Sequence, residues 1–289
     1  TSTTVAAGDR LILNDDGTMK QVTIPDIGTY ITGALALNSL SDVLIEATSS
    51  MYIGNDPSST TVTGLDTADY NLGIGVTALD AITEGDGNIA IGHDALTANT
   101  TGIKNLAIGR GALDAAVTQS NNIAIGYDAL GGTNSGGTNG GGEYNVAIGN
   151  NTLDATLGGG DKQGQYNVAV GDNALKLNTM GSYNTATGSW ALNKNLEGNL
   201  NTAIGEEALE ANESGDWNTA IGSQALEANV SGDGNTAIGS EALQANTASY
   251  NTAIGSWALE ANTSGSGNTT IGSESLKVST GNSNTAIGN

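Results

Sequence analysis

The residues of this chain that could perform acid–base or metal chemistry are carboxylates, accompanied by a single histidine, His93. Thirty Asp and Glu residues stand against eight Lys and Arg, and there is no cysteine. Nucleophilic catalysis needs a nucleophile, a base and a third group that orients the base, and His93 has no second candidate base in range. A glycosidase needs two carboxylates that face each other across a cleft. Because Glu206, Glu210 and Glu260 fall in outward slots of a regular repeat, we interpret them as a solvated face and expect no enzymatic activity.

Three aspartates are the best candidates for metal ligands. Asp86 and Asp233 lie in the sequence Gly-Asp-Gly-Asn, and Asp216 lies in Gly-Asp-Trp-Asn, each shortly before the start of a repeat. Carboxylate and carbonyl oxygens in tight loops can bind Ca²⁺. The glycine-rich nonapeptide of calcium-binding β-rolls is absent from the chain. Turn formation by these aspartates is therefore the favoured interpretation, and no cofactor is predicted.

Aromatic residues suggest a different kind of site, a platform for sugar rings. Trp190 and Trp257 occupy a slot that holds Glu, Asp or Gln in other repeats, so both rings are expected to be exposed. A further set directly precedes the asparagine that opens a repeat: Tyr70, Tyr144, Tyr166, Tyr183, Trp217 and Tyr250. These can form an intermittent stack that caps one edge of the fold, or a surface on which sugars stack. The candidate glycan contacts are Tyr144, Tyr166, Lys162, Trp190 and Trp257.

All of these residues are spaced by one five-residue phrase, Asn-Thr-Ala-Ile-Gly or a close variant. It begins at Asn71, Asn88, Asn105, Asn122, Asn145, Asn167, Asn184, Asn201, Asn218, Asn235, Asn251, Asn268 and Asn284. Most steps are 17 residues, and the steps after Asn122 and Asn145 are 23 and 22 residues. Counting the asparagine as position one, position five is always Gly and position nine is Leu in every complete copy. A weaker copy places Ile53 and Gly54 in the same register.

This repeat predicts an all-β fold, a parallel β-solenoid of about 17 residues per coil over residues 50–289. Seventeen residues cannot hold two helices and a turn. Ala, Leu and Glu favour helix, but the Ala-Leu segments span only about 7 residues, too few for a helix that stands alone. Gly at position five is expected to supply a turn, and the stacked asparagines a ladder of amide hydrogen bonds. Leu at position nine is assigned to the core.

The period-two geometry of a strand assigns positions two and four to the inner face and Ala at position three to the outer face. One coil would then bury an Ile, a Leu and some Ala, worth about 4–5 kcal/mol, against an ordering cost of about 1–2 kcal/mol per residue. Alanine columns at positions three and eight would form flat outer surfaces. We therefore predict a homotrimer packed through these columns. The inward assignment of the Thr column at position two argues against ice binding by that column.

The phrase followed by x-x-Ala-Leu resembles the head repeat of trimeric autotransporter adhesins, which implies parallel β-rolls in a trimer. It is also similar to repeat arrays in bacteriophage tail-fibre proteins. The likeness covers about residues 50–289. The autotransporter coil is usually shorter and lacks the Leu at position nine. The resemblance therefore implies the roll fold for this chain more strongly than it implies the cross-section of the coil.

The N-terminal segment, residues 1–49, is predicted to form a small β module. Its sequence GDRLILNDDGTMKQVTIPDIGTYI indicates a strand, an Asp-Gly turn, a second strand, and a short helix or turn after Pro25. It resembles the shaft modules of phage tail fibres, as does LNSLSDVLI, which ends at Ile45.

These resemblances imply a structural and adhesive segment of a phage tail fibre, located in the virion and used for host-surface attachment. The expected partners are further copies of the chain, a host glycan or protein, and other fibre or baseplate proteins. A bacterial surface adhesin or an extracellular structural filament is the alternative. A net charge of −22 argues against nucleic acid as a partner. No apolar run approaches the roughly 20 residues that span a bilayer, so no membrane insertion is expected.

Overall fold

The computed structural model describes residues 68–132, 142–155 and 164–288, together with the backbone of four earlier strands. These strands are β1 (Arg10–Asp15), β2 (Thr18–Thr23), β3 (Val43–Ile45) and β4 (Met51–Ile53). β1 and β2 pair in antiparallel orientation, in the order expected of the N-terminal segment. The turn between them and the element expected after Pro25 lie outside the described residues.

A stack of short parallel strands follows, one for each copy of the phrase. The strands are β5 (Leu72–Ile74), β6 (Ile89–Ile91), β7 (Leu106–Ile108), β8 (Ile123–Ile125), β9 (Val146–Ile148), β10 (Val168–Val170), β11 (Thr185–Thr187), β12 (Thr202–Ile204), β13 (Thr219–Ile221), β14 (Thr236–Ile238), β15 (Thr252–Ile254), β16 (Thr269–Ile271) and β17 (Thr285–Ile287). Each strand pairs with the next in chain order. The described part of the chain contains no helix, so the predicted parallel β-solenoid is confirmed.

The register of the sheet is continuous from β4 onward. β4 pairs in parallel with β5, and Ile53 lies opposite Ile74, which confirms the weaker early copy of the phrase. β3 pairs with β4 in antiparallel orientation and forms the edge of the sheet. The two long repeat steps do not shift the register, because β8, β9 and β10 still pair position by position. The extra residues of these steps fall largely in 133–141 and 156–163, outside the described residues.

The core of each coil holds Leu at position nine and Ala at positions three and eight. Leu192, Leu209 and Leu226 have no solvent exposure, which confirms the assignment of position nine to the core. This leucine lies in a turn, with φ in the left-handed region, +53° at Leu209. Its N–H donates a hydrogen bond to the carbonyl of the next coil, as Leu209 does to Ala225 at 3.0 Å. The second apolar segment of the repeat is therefore a tight turn and not a second strand.

The predicted orientation of the strands is wrong. Ala203 at position three is completely buried, whereas Ile204 at position four is 41% exposed and Thr202 at position two is half-buried. The same pattern recurs in neighbouring coils, so the alanine columns are inside the chain and cannot be the surface of a trimer. The physical reason is lack of space. Leucine and buried asparagine amides already fill the narrow coil, which leaves room only for a small side chain at position three.

Two columns of buried asparagine fix one coil on the next. The Asn218 backbone N–H donates to Asn201 Oδ1 at 2.9 Å, and its Nδ2 donates to the Gly232 carbonyl of its own coil at 2.8 Å. This confirms the predicted ladder at position one. A second ladder, which was not predicted, lies at position twelve, where Asn212 Nδ2 donates to Asn195 Oδ1 at 2.7 Å. Its signal is an Asn three residues after the core Leu, seen at Asn99, Asn178, Asn195, Asn212, Asn229, Asn246 and Asn262.

Glycine at position five is required by the approach of successive coils. At Gly239, φ is +136°, and a Cβ would lie 2.6 Å from the carbonyl carbon of Gly255 in the next coil. A side chain there would meet a strained backbone conformation and a rigid carbonyl. The prediction of a turn is confirmed, and the stacking distance explains why glycine is used in every copy.

The orientation of the strands can be tested at Thr270, which occupies position three in place of alanine. Its Oγ1 is buried and has no hydrogen-bond partner. Removal of an unsatisfied buried hydroxyl should stabilise the fold, so Thr270→Ala is expected to raise the free energy of unfolding by about 1 kcal/mol. The reverse change, Ala253→Thr, should lower it by a similar amount. Thermal unfolding followed by circular dichroism measures both.

Thr269→Ala, one residue away on the outer face, is the matched control and should have little effect. Equal effects of Thr269→Ala and Thr270→Ala would contradict the burial of position three.

Candidate functional site

The three aspartates proposed as metal ligands bridge successive coils through backbone hydrogen bonds. Asp216 Oδ1 accepts from the Asn199 N–H at 2.6 Å, and Asp233 Oδ1 accepts from the Asp216 N–H at 2.9 Å. Asp86 Oδ1 accepts from the Asp69 N–H at 2.7 Å, many coils away from the other two. Uncharged side chains make the same bridge elsewhere, such as Ser249 Oγ to Asp233. A neutral oxygen thus suffices at this position, which favours turn formation over metal binding.

A different carboxylate cluster lies at positions seven and ten. Oxygens of Glu207, Glu210 and Glu227 all lie within 4.8 Å of one another, and this set was not predicted from the sequence. Each already has a partner. Gln224 Nε2 donates to Glu207 at 2.8 Å, Lys194 Nζ lies 3.0 Å from Glu210, and Gln244 Nε2 donates to Glu227 at 2.7 Å. The arrangement is a hydrogen-bonded polar surface, and nothing in it calls for an ion.

His93 belongs to a short polar chain that lacks the connectivity of a catalytic triad. Its Nδ1 lies 2.5 Å from Asp94 Oδ2, and the Thr77 hydroxyl donates to the other carboxylate oxygen of Asp94. In a triad the hydroxyl contacts the imidazole, which then accepts its proton. Here the hydroxyl contacts the carboxylate, so this group holds no activated nucleophile.

A second acidic group surrounds Asp114. Burial raises the pKa of Asp114 from 3.8 to about 6, and the nearby Asp128 carboxylate contributes, while a hydrogen bond from the Ala115 backbone opposes the rise. Asp114 Oδ1 is buried without a hydrogen-bond partner. Burial also raises the pKa of Asp154, against the attraction of Lys176. Ionisation of the Asp114 and Asp154 carboxylates therefore lowers the stability of the folded state.

Asp114 makes a specific pH dependence testable. Because its folded pKa is raised, folding favours the protonated form, and this stabilisation is lost as the pH rises from about 4 through about 6. Asp114→Asn should therefore raise the melting temperature at pH 7 by roughly 2 °C, allowing for solvent screening of a half-exposed group. The difference from wild type should shrink as the pH falls to 4.

Glu213→Gln removes one negative charge from an exposed side chain and serves as the control. A gain for Asp114→Asn that is the same at pH 4 and pH 7 would contradict the assigned cause.

The tyrosines that precede the opening asparagine stack along the rod. The Tyr144 and Tyr166 rings lie 4.9 Å apart and nearly parallel, and Tyr166 and Tyr183 lie 5.0 Å apart. The predicted stack is thus confirmed for these three residues. Both faces of Tyr166 are covered, so only its edge and hydroxyl could contact a glycan. Lys162 lies outside the described residues, and glycan contact at Tyr144 and Tyr166 stays a prediction.

Both candidate tryptophans at position seven are exposed, as predicted. Trp190 is 43% exposed and Trp257 is 37% exposed. Lys277 Nζ lies 5.5 Å from the centre of the Trp257 ring and also 3.0 Å from Glu260. The hydrogen bond to Glu260 raises the pKa of Lys277, so this amine stays charged. The two tryptophans lie on a different part of the coil from the tyrosine stack.

The outer face of the sheet, made by positions two and four, is a further apolar surface of the described residues. Ile204, Ile221 and Ile238 are between 37% and 41% exposed, and each flanks a half-buried threonine at position two. In the earlier coils both positions are aliphatic, as in Ile123 and Ile125. This face was not predicted to be a surface, because positions two and four were assigned to the interior of the coil.

The chain matches no protein-family model, no curated protein and no solved structure. Among the described residues, no helix has the length and apolar character that crossing a membrane requires.

Proposed function

We propose that this chain is a structural and adhesive segment of a fibre in which parallel copies pack through the outer sheet face. The observation that carries the proposal is the aliphatic column at position four, which is half-buried in most of the earlier coils and exposed from β12 to β16, accompanied by a second aliphatic column at position two up to Val168. A rod that worked alone in water would gain from polar side chains at these positions. Threonine at positions two and four in β11 shows that the coil accepts polar side chains there.

The size of this face suits a specific protein interface. Thirteen strands of three residues span roughly 60 Å by 10 Å, or roughly 600 Å². The aliphatic part of this area is smaller, because position two is threonine from β11 to β17, and it falls within the range of about 300–600 Å² of the largest apolar patches on monomeric proteins. Two such faces in contact would bury about 1,200 Å², the lower limit for a stable specific complex.

A second copy of the chain is the occupant that fits this face best. The side chains repeat at the strand spacing, about 4.8 Å, and a parallel copy offers the same spacing along its whole length. Aliphatic side chains of one copy can then fill the gaps between those of another. The resemblance to trimeric head repeats favours three copies around one axis. The outer sheet face thereby replaces the alanine columns as the proposed trimer interface.

The resemblance of the N-terminal segment to tail-fibre shaft modules favours a phage tail fibre that attaches to a host surface. A bacterial surface adhesin is the alternative. Tail or baseplate genes beside the coding sequence would support the phage assignment. A membrane-anchored barrel encoded downstream as part of the same protein would support the adhesin.

Assembly through the outer face predicts a clear effect of charge at position four. The wild-type chain should sediment at three times its 28.8 kDa mass. The combined changes Ile204→Lys, Ile221→Lys and Ile238→Lys should yield monomers, because three charges per copy would be buried without partners. Sedimentation equilibrium measures the mass, and circular dichroism checks that the β content is unchanged.

The matched control places lysine at position six of the same coils, through Glu206→Lys, Ser223→Lys and Ser240→Lys. It should remain a trimer. A monomeric wild-type protein, or position-four variants that remain trimeric, would refute assembly through this face.

A second candidate function is favoured by one observation, the outward Thr column at position two. Thr202, Thr219 and Thr236 repeat at the strand spacing on the surface, which removes the ground on which ice binding was set aside. Binding of ordered water needs this face open, whereas assembly buries it. A monomeric wild-type protein that lowers the freezing point of water without lowering its melting point would favour this alternative.

A further inference from the structure

The edge formed by positions seven and ten carries the two exposed tryptophans. In each of these coils the N–H of position ten donates to the carbonyl of position seven, as Glu210 does to Glu207 at 3.2 Å. The two side chains therefore leave one turn side by side, and successive coils form two parallel columns. We name the stretch from Trp190 to Trp257 the bracketed edge. Between the tryptophans it holds Glu207, Glu210, Gln224, Glu227, Glu241 and Gln244.

The polar side chains of the bracketed edge are ordered by their own hydrogen bonds. Gln224 Nε2 donates to Glu207 at 2.8 Å and Gln244 Nε2 donates to Glu227 at 2.7 Å, each between adjacent coils. All four side chains are half-buried. A ligand that binds to ordered side chains forfeits less conformational entropy than one that must order them. The edge therefore offers fixed oxygen acceptors and amide groups at the coil spacing.

The tryptophans stand at the two ends of this polar stretch. Four coil steps separate them, which at the strand spacing is about 19 Å. Lys277, from the following coil, lies over the Trp257 ring. This contact occupies one side of the Trp257 ring. Trp190 and Trp257 are the only apolar side chains in position seven of the described coils, so the edge is apolar at its ends and polar between them.

We propose that the bracketed edge binds a neutral oligosaccharide of a few sugar units that lies along the rod. Sugar rings have an apolar face that packs on aromatic rings and hydroxyl groups that donate and accept hydrogen bonds. Trp190 and Trp257 supply the aromatic surfaces. The carboxylates accept from hydroxyls, and the glutamine amides can do both. An aromatic surface with a few fixed polar groups is the usual composition of a small-molecule site.

The charge of the edge restricts the class of glycan. Four of the six side chains between the tryptophans are glutamates, and the whole chain carries a net charge of −22. Sulfated, phosphorylated and carboxylated sugars would be repelled. The ligand is therefore a chain of uncharged sugars, N-acetylated or not.

The experiment uses the full chain and the fluorescence of its three tryptophans, two of which lie in the bracketed edge. Maltotetraose, cellotetraose and chitotetraose are titrated separately in the presence of EDTA, which removes any effect of divalent ions at the glutamate cluster. At least one should give a saturable change in fluorescence. Trp190→Ala and Trp257→Ala should each weaken its binding at least tenfold, measured by calorimetry. A sulfated heparin tetrasaccharide should not bind.

Trp217→Ala is the matched control, because Trp217 is 60% exposed but belongs to the column before the opening asparagine. It should bind as wild type does. Trp190→Tyr keeps an aromatic face and should retain most of the affinity, which separates loss of stacking from loss of fold. Absence of binding by all three neutral sugars would overturn the proposal, as would equal losses in Trp217→Ala and Trp190→Ala.

This inference rests on the adhesive part of the proposed function and is independent of assembly. A trimer that binds none of the sugars would refute the proposed glycan site but not the proposed assembly. A monomer whose sugar binding depends on Trp190 and Trp257 would refute the proposed assembly but not the glycan site.

Discussion

The buried asparagine amides are the constraint on which the rest of this fold depends. A buried amide left without partners costs about 1–3 kcal/mol, so each coil must lie where its asparagine side chains reach the next coil. Asn201 meets this condition through its Oδ1, which accepts from the Asn218 N–H, and through its Nδ2, which donates to the Gly215 carbonyl and closes its own coil. The ladder at position twelve lies beside the first, because Asn212 Nδ2 donates to the same Gly215 carbonyl as well as to Asn195 Oδ1 in the preceding coil. Two polar columns therefore set both the spacing of the coils and their closure.

That spacing decides which residues the remaining positions accept. Successive glycines at position five approach so closely that a Cβ on Gly222 would lie 2.5 Å from the Gly239 carbonyl oxygen. The interior, already holding two amides and a leucine, admits only a small side chain at position three, so the larger aliphatic residues of the strand point outward. The apolar outer face is therefore a direct consequence of a narrow core. In a chain built in this way, the isoleucines of the strands are available for contact with another molecule.

The repeat period was enough to predict the parallel solenoid, the asparagine ladder at position one and the buried leucine at position nine. It was not enough to predict which side of the strand faces inward. Alternation identifies two faces of a strand, and the usual choice places Ile inside and Ala outside. The choice failed because the buried asparagines, which are polar and would be expected at the surface, occupy the volume that Ile204 would need.

The left-handed conformation of Leu209 could not be predicted either, since only the surrounding packing stabilises a leucine there. Of the candidate sites, the exposed tryptophans could be predicted, because each replaces a polar residue at one position of a regular repeat. The glutamate cluster could not be predicted, because it depends on contacts between coils.

The same logic separates the roles of the different surface columns. Inside the coil, each position accepts one residue type, or nearly so, because all coils share one geometry. Outside, the columns are free to differ, and they differ in distinct ways.

Position four stays aliphatic from Ile74 to Ile271 with the exception of Thr187, as a surface that always meets the same partner would require. Position two changes from aliphatic to threonine after Val168, so contacts between copies would be drier in the first part of the rod and richer in hydroxyl groups in the second. Positions seven and ten vary from coil to coil, and only such columns can carry a site that occurs once along a uniform rod. Self-assembly is thus expected from the constant outer column, and recognition of another molecule from the variable ones.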